Sequence, residues 1–157
     1  MNFEIRQASI SDINHVTELW KKLAIDQLTQ DNFFTGDIDF TDCNEQVSDS
    51  LTNSNCCIFI AYTSTSIIGF IEVWLQNKDF YFFEDDYAYI MHMFIDPQYR
   101  SYQIMKSLYN KAEEWTISKK RNYLIADAFQ FNQKALKILN FLGLKPYKTR
   151  CVKELKK

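Results

Sequence analysis

The chain contains little glycine and little proline. Glycine occurs only at Gly36, Gly69 and Gly143 in a chain of 157 residues, where average usage would give roughly eleven. Long apolar runs are also missing, since no stretch approaches the roughly 20 residues that a membrane-spanning helix needs. These absences argue against low-complexity segments and membrane helices, and they favour a cytoplasmic location.

Cysteine shows no metal-ligand spacing. Cys43, Cys56, Cys57 and Cys151 do not form the paired motifs typical of zinc sites. Cys56 and Cys57 lie in an apolar, strand-like run. Buried reduced thiols are therefore predicted, with no metal site and no cysteine nucleophile.

Net charge is close to neutral, at a formal value of -2, which gives no reason to expect nucleic acid as a partner. Acidic residues nevertheless concentrate in two segments: Asp26, Asp31, Asp37, Asp39, Asp42, Glu45 and Asp49, and then Glu84, Asp85 and Asp86. These are either solvated faces or the border of a pocket for a cationic amine.

Apolar residues make up 46% of the chain, including 13 Phe, 9 Tyr and 3 Trp. This composition predicts one compact domain over residues 1–157. The aromatic richness is also compatible with a homodimer, and the run Phe80 to Phe83 is either core or the lining of a substrate mouth.

Hydrophobic periodicity predicts an α/β domain with a mixed, mostly antiparallel sheet flanked by helices. The predicted elements, in chain order, are a strand at Phe3–Arg6, a helix capped by Ser11 and Asp12, a second helix around Asn44–Leu51, strands at Cys56–Tyr62, Ile67–Leu75 and Tyr87–Ile95, a helix from Gln103 to about Lys119, a strand at Asn122–Ala128, a helix from Asn132 to Gly143, and a strand near Tyr147–Leu155.

The junction from Ile95 to Leu108 is a strand, a turn at Asp96 and Pro97, and a helix start. The first helical amides have no intrahelical partner, so such a junction can bind a phosphate through its main chain. Arg100 would add a cation there. An ordinary helix start at a surface turn gives the same pattern, and the junction alone leaves both interpretations open.

Four stretches together resemble the GNAT acyl-CoA-dependent N-acetyltransferases in their order and spacing. They are Gly69-Phe70-Ile71, Asp96-Pro97-Gln98-Tyr99-Arg100, Asn132-Gln133-Lys134-Ala135 and Leu142-Gly143-Leu144. Within that family, Gly69 to Val73 and Ala126 to Ala128 are most similar to the aminoglycoside 6'-N-acetyltransferases.

The resemblance implies a GNAT fold with acetyl-CoA as cosubstrate. It implies that main-chain groups near Phe94 and Ile95 contact pantetheine and that the loop from Arg100 to Met105 binds the pyrophosphate. The residues assigned to the cofactor are Phe94, Ile95, Arg100, Ser101, Tyr102, Gln103, Ile104, Met105 and Asn132.

Two departures from the family pattern concern activity. Gln103 and Met105 replace loop glycines and place bulk where pyrophosphate would approach the main chain, although every amide from Ser101 to Ser107 is retained as a donor. Leu139 falls where many relatives carry the tyrosine that protonates the CoA thiolate. Leucine cannot donate a proton, so a rate penalty of ~10²–10⁴ is expected.

Three residues are candidate acid–base groups. Glu72 and Asp127 each interrupt an apolar predicted strand, where a carboxylate is costly unless it is paired or faces a wet cleft. His92 lies in the strand that would border the thioester, and imidazole exchanges protons near neutral pH. Each also has an ordinary structural interpretation, as a paired carboxylate or a hydrogen-bonded histidine, whereas His15 is read as a surface residue.

The sequence therefore predicts a transferase that moves an acetyl group from acetyl-CoA directly to the primary amine of a small molecule or peptide, with the acidic segments favouring a cationic amine. Two alternatives stay open. The chain could be a catalytically degenerate GNAT-fold domain that binds a ligand or protein, or an enzyme that uses another acyl carrier.

Overall fold

A computed structural model describes residues 2–31, 39–78, 86–153 and 155. The aromatic run Phe80 to Phe83 and the acidic residues Asp37, Glu84 and Asp85 lie outside these described residues. Their predicted roles stay predictions.

Two compact units divide the chain, Met1–Asp127 and Ala128–Lys157. The first contains the whole sheet. Its elements are β1 (Glu4–Gln7), α1 (Ile13–Leu28), α2 (Cys43–Thr52), β2 (Cys56–Tyr62), β3 (Ile67–Gln76), β4 (Tyr87–Ile95), α3 (Tyr102–Ser118) and β5 (Leu124–Ala126), with short 3-10 turns at Ile10–Asp12 and Pro97–Tyr99. The second unit contains α4 (Gln133–Phe141).

Among the described residues, the sheet has five strands in the order β1-β2-β3-β4-β5. Strands β1 to β4 pair antiparallel, and β5 pairs with β4 in parallel. A loop from Thr63 to Ser66 joins β2 to β3, and the amide of Thr63 donates to the carbonyl of Ser66 at 2.8 Å. The predicted mixed, mostly antiparallel sheet is confirmed.

Helices cover both faces of this sheet. On one face, Val16, Leu19 and Leu23 of α1 and Val47 of α2 pack in a core cluster with Ile58, Ile60, Phe70 and Phe94. Successive strand residues point to opposite faces, so this side also receives the side chains of Glu72 and Trp74. Helix α3 contacts β2, β3 and β4 and buries its own apolar stripe of Ile104, Leu108 and Ala112.

Strand β4 contains a bulge beside its centre. Glu72 pairs with His92 and Val73 pairs with Ile90, so Met91 is an extra residue on β4. A bulge bends the strand that carries it. The parallel ladder to β5 ends at the pair Ile90 and Ala126, so β5 ends before the predicted boundary at Ala128.

The predicted final strand near Tyr147–Leu155 is wrong for the described residues of that segment, which carry no strand. Tyr147, Val152 and Leu155 are 66%, 60% and 77% exposed. A strand needs a neighbour for its backbone and a face to bury, and the alternating sequence pattern cannot supply either.

In the second unit, Asn132 caps α4 by accepting a hydrogen bond from the amide of Ala135 at 3.0 Å. The helix ends at Phe141, just before the predicted stop at Gly143, whose φ is +92°. The amide of Leu144 donates to the carbonyl of Leu139, and the amide of Gly143 donates to that of Asn140. This is a Schellman motif, which places glycine at the left-handed position.

Candidate active site

Glu72 lies in the middle of β3 and is only 5% exposed. Its Oε1 accepts hydrogen bonds from Ser50 Oγ at 2.8 Å and Trp74 Nε1 at 2.7 Å. Its Oε2 lies 2.7 Å from Nδ1 of His92. Three elements, α2, β3 and β4, thus supply polar groups to one buried carboxylate.

The ionised form of Glu72 is favoured. Burial by itself raises the pKa of the carboxyl, but the hydrogen bond and charge of His92, with the donors Trp74 and Ser50, outweigh burial and lower the pKa below its ordinary value. The carboxylate is therefore charged at neutral pH, and all of its close polar neighbours are hydrogen-bond donors.

His92 is held in one tautomer by this carboxylate. A carboxylate only accepts hydrogen bonds, so Nδ1 of His92 must donate to Glu72. In the neutral ring Nε2 is then the atom with a free lone pair. The side chain of His92 is 28% exposed, and its ring packs edge-on against Trp20 of α1, with centroids 5.6 Å apart. The imidazole therefore combines a fixed orientation with access to solvent.

The backbone of β4 opens beside this pair. In the described part of the chain, β5 pairs with β4 only from Ala88 to Ile90. Beyond the bulge at Met91, the β4 edge on the β5 side has no strand partner in that ladder. Unpaired strand edges present amide and carbonyl groups to a ligand, so this edge can receive an extended molecule.

Gly69 keeps β3 close to the same part of β4. A Cβ at this position would lie 2.9 Å from the carbonyl oxygen of Phe94 and 3.1 Å from Cγ1 of Ile95. Real Cβ atoms do not approach that closely, so only glycine fits without a shift of β4. Glycine is therefore the residue that this backbone contact accommodates.

The turn after β4 leads into α3 through a defined cap. The carboxylate of Asp96 accepts a hydrogen bond from the amide of Gln98 at 3.2 Å, and Ser101 Oγ accepts from the amide of Ile104 at 3.2 Å. The amide of Met105 donates to the carbonyl of Ser101. Two of the amides predicted to serve a phosphate, those of Ile104 and Met105, are thus already engaged within the protein.

Arg100 turns back toward α1 and β4. Its Nε donates to the carbonyl of Ile95 at 3.1 Å, its Nη2 lies 3.6 Å from Oδ2 of Asp26, and its guanidinium lies over Phe94, 5.6 Å from the ring centroid. The predicted cation, Arg100, is therefore present at the turn, but it already faces the carboxylate of Asp26 on α1.

Met105 does not crowd the loop. It is 5% exposed and belongs to the buried stripe of α3, so the prediction that its bulk obstructs the pyrophosphate is wrong. Gln103 is exposed and lines a groove of about 450 Å³ together with Phe3 and Ser107. Of the two residues that replace loop glycines, only Gln103 therefore has a side chain exposed enough to hinder a bound pyrophosphate.

Asp127 lies just beyond β5 and is exposed. Its Oδ2 accepts a hydrogen bond from Tyr89 Oη at 3.1 Å. The prediction that Asp127 interrupts an apolar strand is wrong because β5 ends at Ala126. The structure thus pairs Glu72 with His92 and gives Asp127 a separate partner. His15 lies exposed on α1, as predicted.

The cysteines are all free, and Cys43, Cys56 and Cys57 are buried as predicted, whereas Cys151 is exposed. Burial raises the pKa of Cys57 to about 12 and also raises that of Cys56, which disfavours a thiolate. Across the described ranges, no group of three or more His, Cys, Asp or Glu residues is arranged to hold a metal ion. The described helices include none with the length and apolarity to cross a membrane.

Sequence reasoning missed Ser50 and Trp20 as neighbours of the acid–base pair. Trp74 carried a usable signal, since it lies two residues from Glu72 on the same strand face. Ser50 and Trp20 lie in helices distant in sequence, and only packing brings them to the pair.

The comparisons with known proteins agree with this architecture. The model of the acetyltransferase (GNAT) family matches residues 18–143, which is most of the chain. This protein is a member of the GNAT acetyltransferase family, and the predicted family and fold are confirmed. A search of curated protein sequences gives no match.

Three solved structures illustrate the likeness. The aminoglycoside acetyltransferase AAC(6')-Iy is 18% identical, with 99% of each chain covered and a TM-score of 0.81. An aminoglycoside acetyltransferase from an uncultured soil metagenomic sample, meta-AAC0020, is 18% identical over 98% of this chain and 97% of its own, with a TM-score of 0.71. The aminoglycoside 6'-N-acetyltransferase AAC(6')-Ih of Acinetobacter baumannii is 21% identical over 99% and 98%, with a TM-score of 0.74. At these identities the likeness shows the fold.

Proposed function

We propose that this protein transfers an acetyl group from acetyl-CoA to the primary amine of a small cationic molecule, by direct attack with both substrates bound. The single observation that carries the proposal is the Glu72–His92 pair, joined at 2.7 Å across β3 and β4 beside the bulge at Met91. An oriented imidazole next to an open strand edge can take the proton from an amine that attacks a bound thioester.

His92 is the proposed general base. Glu72 fixes Nδ1 as a donor, so Nε2 can accept the proton that the attacking amine loses. Glu72 itself is the positioning residue, since its oxygens are buried and already hydrogen-bonded to Ser50, Trp74 and His92. Asp127 is exposed and bound to Tyr89, which makes it the weaker candidate.

Acetyl-CoA would supply the thioester carbonyl: the amine nitrogen would bond to the carbonyl carbon, the carbon–sulfur bond would break, and coenzyme A would leave as a thiolate that solvent protonates. The residues proposed to hold it are the β4 main chain at Phe94 and Ile95 and the turn from Arg100 to Gln103. The open β4 edge suits an extended pantetheine, and the helix start at Ser101 suits a phosphate. Amides of β4 would polarise the carbonyl and stabilise the developing oxyanion. The amides of Ile104 and Met105 and the side chain of Asn132 already form hydrogen bonds within the protein. The roles of these three residues in binding the cofactor stay predictions.

A cationic acceptor is favoured by charge and by the related structures. Asp26, Asp39, Asp42, Glu45 and Asp49 lie on or beside α1 and α2, whose side of the sheet also carries the Glu72–His92 pair. One related structure is a complex with a bisubstrate analogue, CoA-S-monomethyl-acetylneamine, and another is a complex with sisomicin. An aminoglycoside-like or polyamine acceptor is therefore the first to test. The cytoplasmic location, the single domain and the homodimer stay predictions.

Mass spectrometry of the acceptor tests the proposal. Purified protein is incubated with acetyl-CoA and with neamine, spermidine or a lysine-containing peptide in separate reactions. We expect an acetylated product from at least one cationic amine, and its loss in His92→Gln. The proposed acetyltransferase activity is refuted if none of the three amines is acetylated and millimolar acetyl-CoA gives the protein no thermal stabilisation.

The alternative is a GNAT-fold domain that binds a ligand without turnover. It is favoured by Leu139, which cannot donate a proton, and by the engagement of the Ile104 amide by Ser101. Binding of CoA without product in wild-type protein would support this alternative. The variant Leu139→Tyr then tests whether the absence of a proton donor at this position prevents turnover. Turnover by this variant would show that the rest of the catalytic site is intact.

A further inference from the structure

Two ion pairs of opposite polarity join α1 to the turn that precedes α3. Lys22 Nζ lies 2.7 Å from Oδ2 of Asp96, and Asp26 Oδ2 lies 3.6 Å from Nη2 of Arg100. Lys22 and Asp26 are four residues apart on α1, and Asp96 and Arg100 are four residues apart across the turn. Lys22 and Asp26 share one face of α1 at this spacing, and each contacts a residue of opposite charge in the turn.

The two contacts differ in character. The Asp96 side chain is 14% exposed, and it also accepts from the amide of Gln98. Asp26 and Arg100 are 44% and 45% exposed, and their separation exceeds hydrogen-bond distance. The first pair fixes the turn to α1. The second is a loose, solvent-exposed pair of the kind that contributes little to stability.

Arg100 keeps its position by other means as well. Its Nε donates to the carbonyl of Ile95, and its guanidinium lies over Phe94. These contacts hold the guanidinium near the start of α3, while the contact from Nη2 to Asp26 can open without displacing the residue. A phosphate would make shorter, bidentate contacts with the same group.

We propose that Asp26 competes with the cofactor's phosphate for Arg100 and is displaced when acetyl-CoA binds. Asp26 is thus a residue that sets cofactor affinity without touching the reacting atoms. Without cofactor it neutralises Arg100, and with cofactor its carboxylate is released at the end of α1. This inference rests on the proposed function, because it requires a CoA phosphate at Arg100.

Calorimetric titration of CoA into the full chain tests the competition. Asp26→Asn removes the competing charge with little change in shape, and we expect the Kd for CoA to fall about two- to fivefold at low salt. Glu18→Gln is the matched control, since it removes the same charge from α1 and breaks the exposed pair with Lys21. It should change the Kd less.

A double-mutant cycle separates competition from a general charge effect. In an Arg100→Ala background, Asp26→Asn should no longer tighten CoA binding. Equal tightening with and without Arg100, or none in the single variant, overturns the inference even if the protein acetylates amines. No CoA binding by wild type and Asp26→Asn alike overturns both the inference and the proposed function.

Discussion

The carboxylate of Glu72 and the imidazole of His92 face each other across β3 and β4, with Oε2 and Nδ1 2.7 Å apart. They occupy directly paired positions in the ladder, and His92 directly follows the extra residue Met91. The pair therefore lies where the sheet changes its geometry, and ionised Glu72 determines which nitrogen of His92 can accept a proton.

Replacing His92 tests its role as base. We expect His92→Gln to lower kcat by ~10²–10⁴ with KM for acetyl-CoA changed little, because glutamine can still donate to Glu72 but cannot take a proton. The deficit should shrink as pH rises, because solution then supplies more neutral amine. Steady-state kinetics across pH measure this, and the exposed His15→Gln is the control. A similar loss in His15→Gln would contradict the assignment.

Glu72→Gln should change both stability and its pH dependence. Near neutral pH we expect a loss of about 1–3 kcal/mol in the free energy of unfolding, because the buried donors Ser50 and Trp74 lose a charged acceptor. The folded-state pKa of Glu72 lies below its ordinary value of 4.5. Its stabilisation is thus present above that value and is lost as pH falls through the folded pKa.

The stability gap between wild type and Glu72→Gln should therefore narrow as pH falls below the ordinary value of 4.5 and through the lower folded-state pKa of Glu72. Urea unfolding at each pH measures the free energy of unfolding of both proteins. The difference between the two values removes contributions that both proteins share, such as that of Asp12, whose pKa is lowered by its hydrogen bond with Arg6. Glu18→Gln, which removes a carboxylate from an exposed pair with Lys21, is the control. A Glu72→Gln gap that stays constant would argue against an ionised Glu72 in the fold.

The substitutions Met105→Gly and Gln103→Gly should change different properties of the protein. Met105→Gly empties part of the α3 stripe, so we expect it to cost about 2–5 kcal/mol of stability. Gln103→Gly changes an exposed position, and it should tighten CoA binding about two- to tenfold if side-chain bulk hinders the phosphate. Thermal unfolding and calorimetry report the two quantities, with Gln103→Ala as the control. Unchanged affinity in Gln103→Gly would show that bulk is not the obstacle.

Gly69→Ala should destabilise the fold through a backbone clash. Its Cβ would lie 2.9 Å from the carbonyl of Phe94, so we expect a cost of about 1–3 kcal/mol and weaker cofactor binding as β4 shifts. Gly143→Ala is the comparison, because that position has open space and a positive φ. It should cost about 1–2 kcal/mol with no effect on CoA affinity measured in the folded protein. Equal effects on affinity would refute a local role for Gly69.

Local pattern sufficed for most of the elements. Strands β2 and β4 occupy the predicted residues, and α4 stops just before Gly143, because apolar periodicity and a left-handed glycine act over a few neighbouring residues. The same reasoning failed near Tyr147, where an alternating pattern is present but the side chains are exposed.

The sequence by itself determined the family, the order of elements as far as α4, and Glu72 and His92 as unusual strand residues. Only the tertiary structure decided that these two form a pair, that Ser50 and Trp74 complete it, that Met105 is core, and that Asp26 shares Arg100. Each of these facts depends on contacts between residues far apart in the chain or on the direction of a side chain. Register, the bulge at Met91 and helix packing set those contacts, and they arise from the fold as a whole.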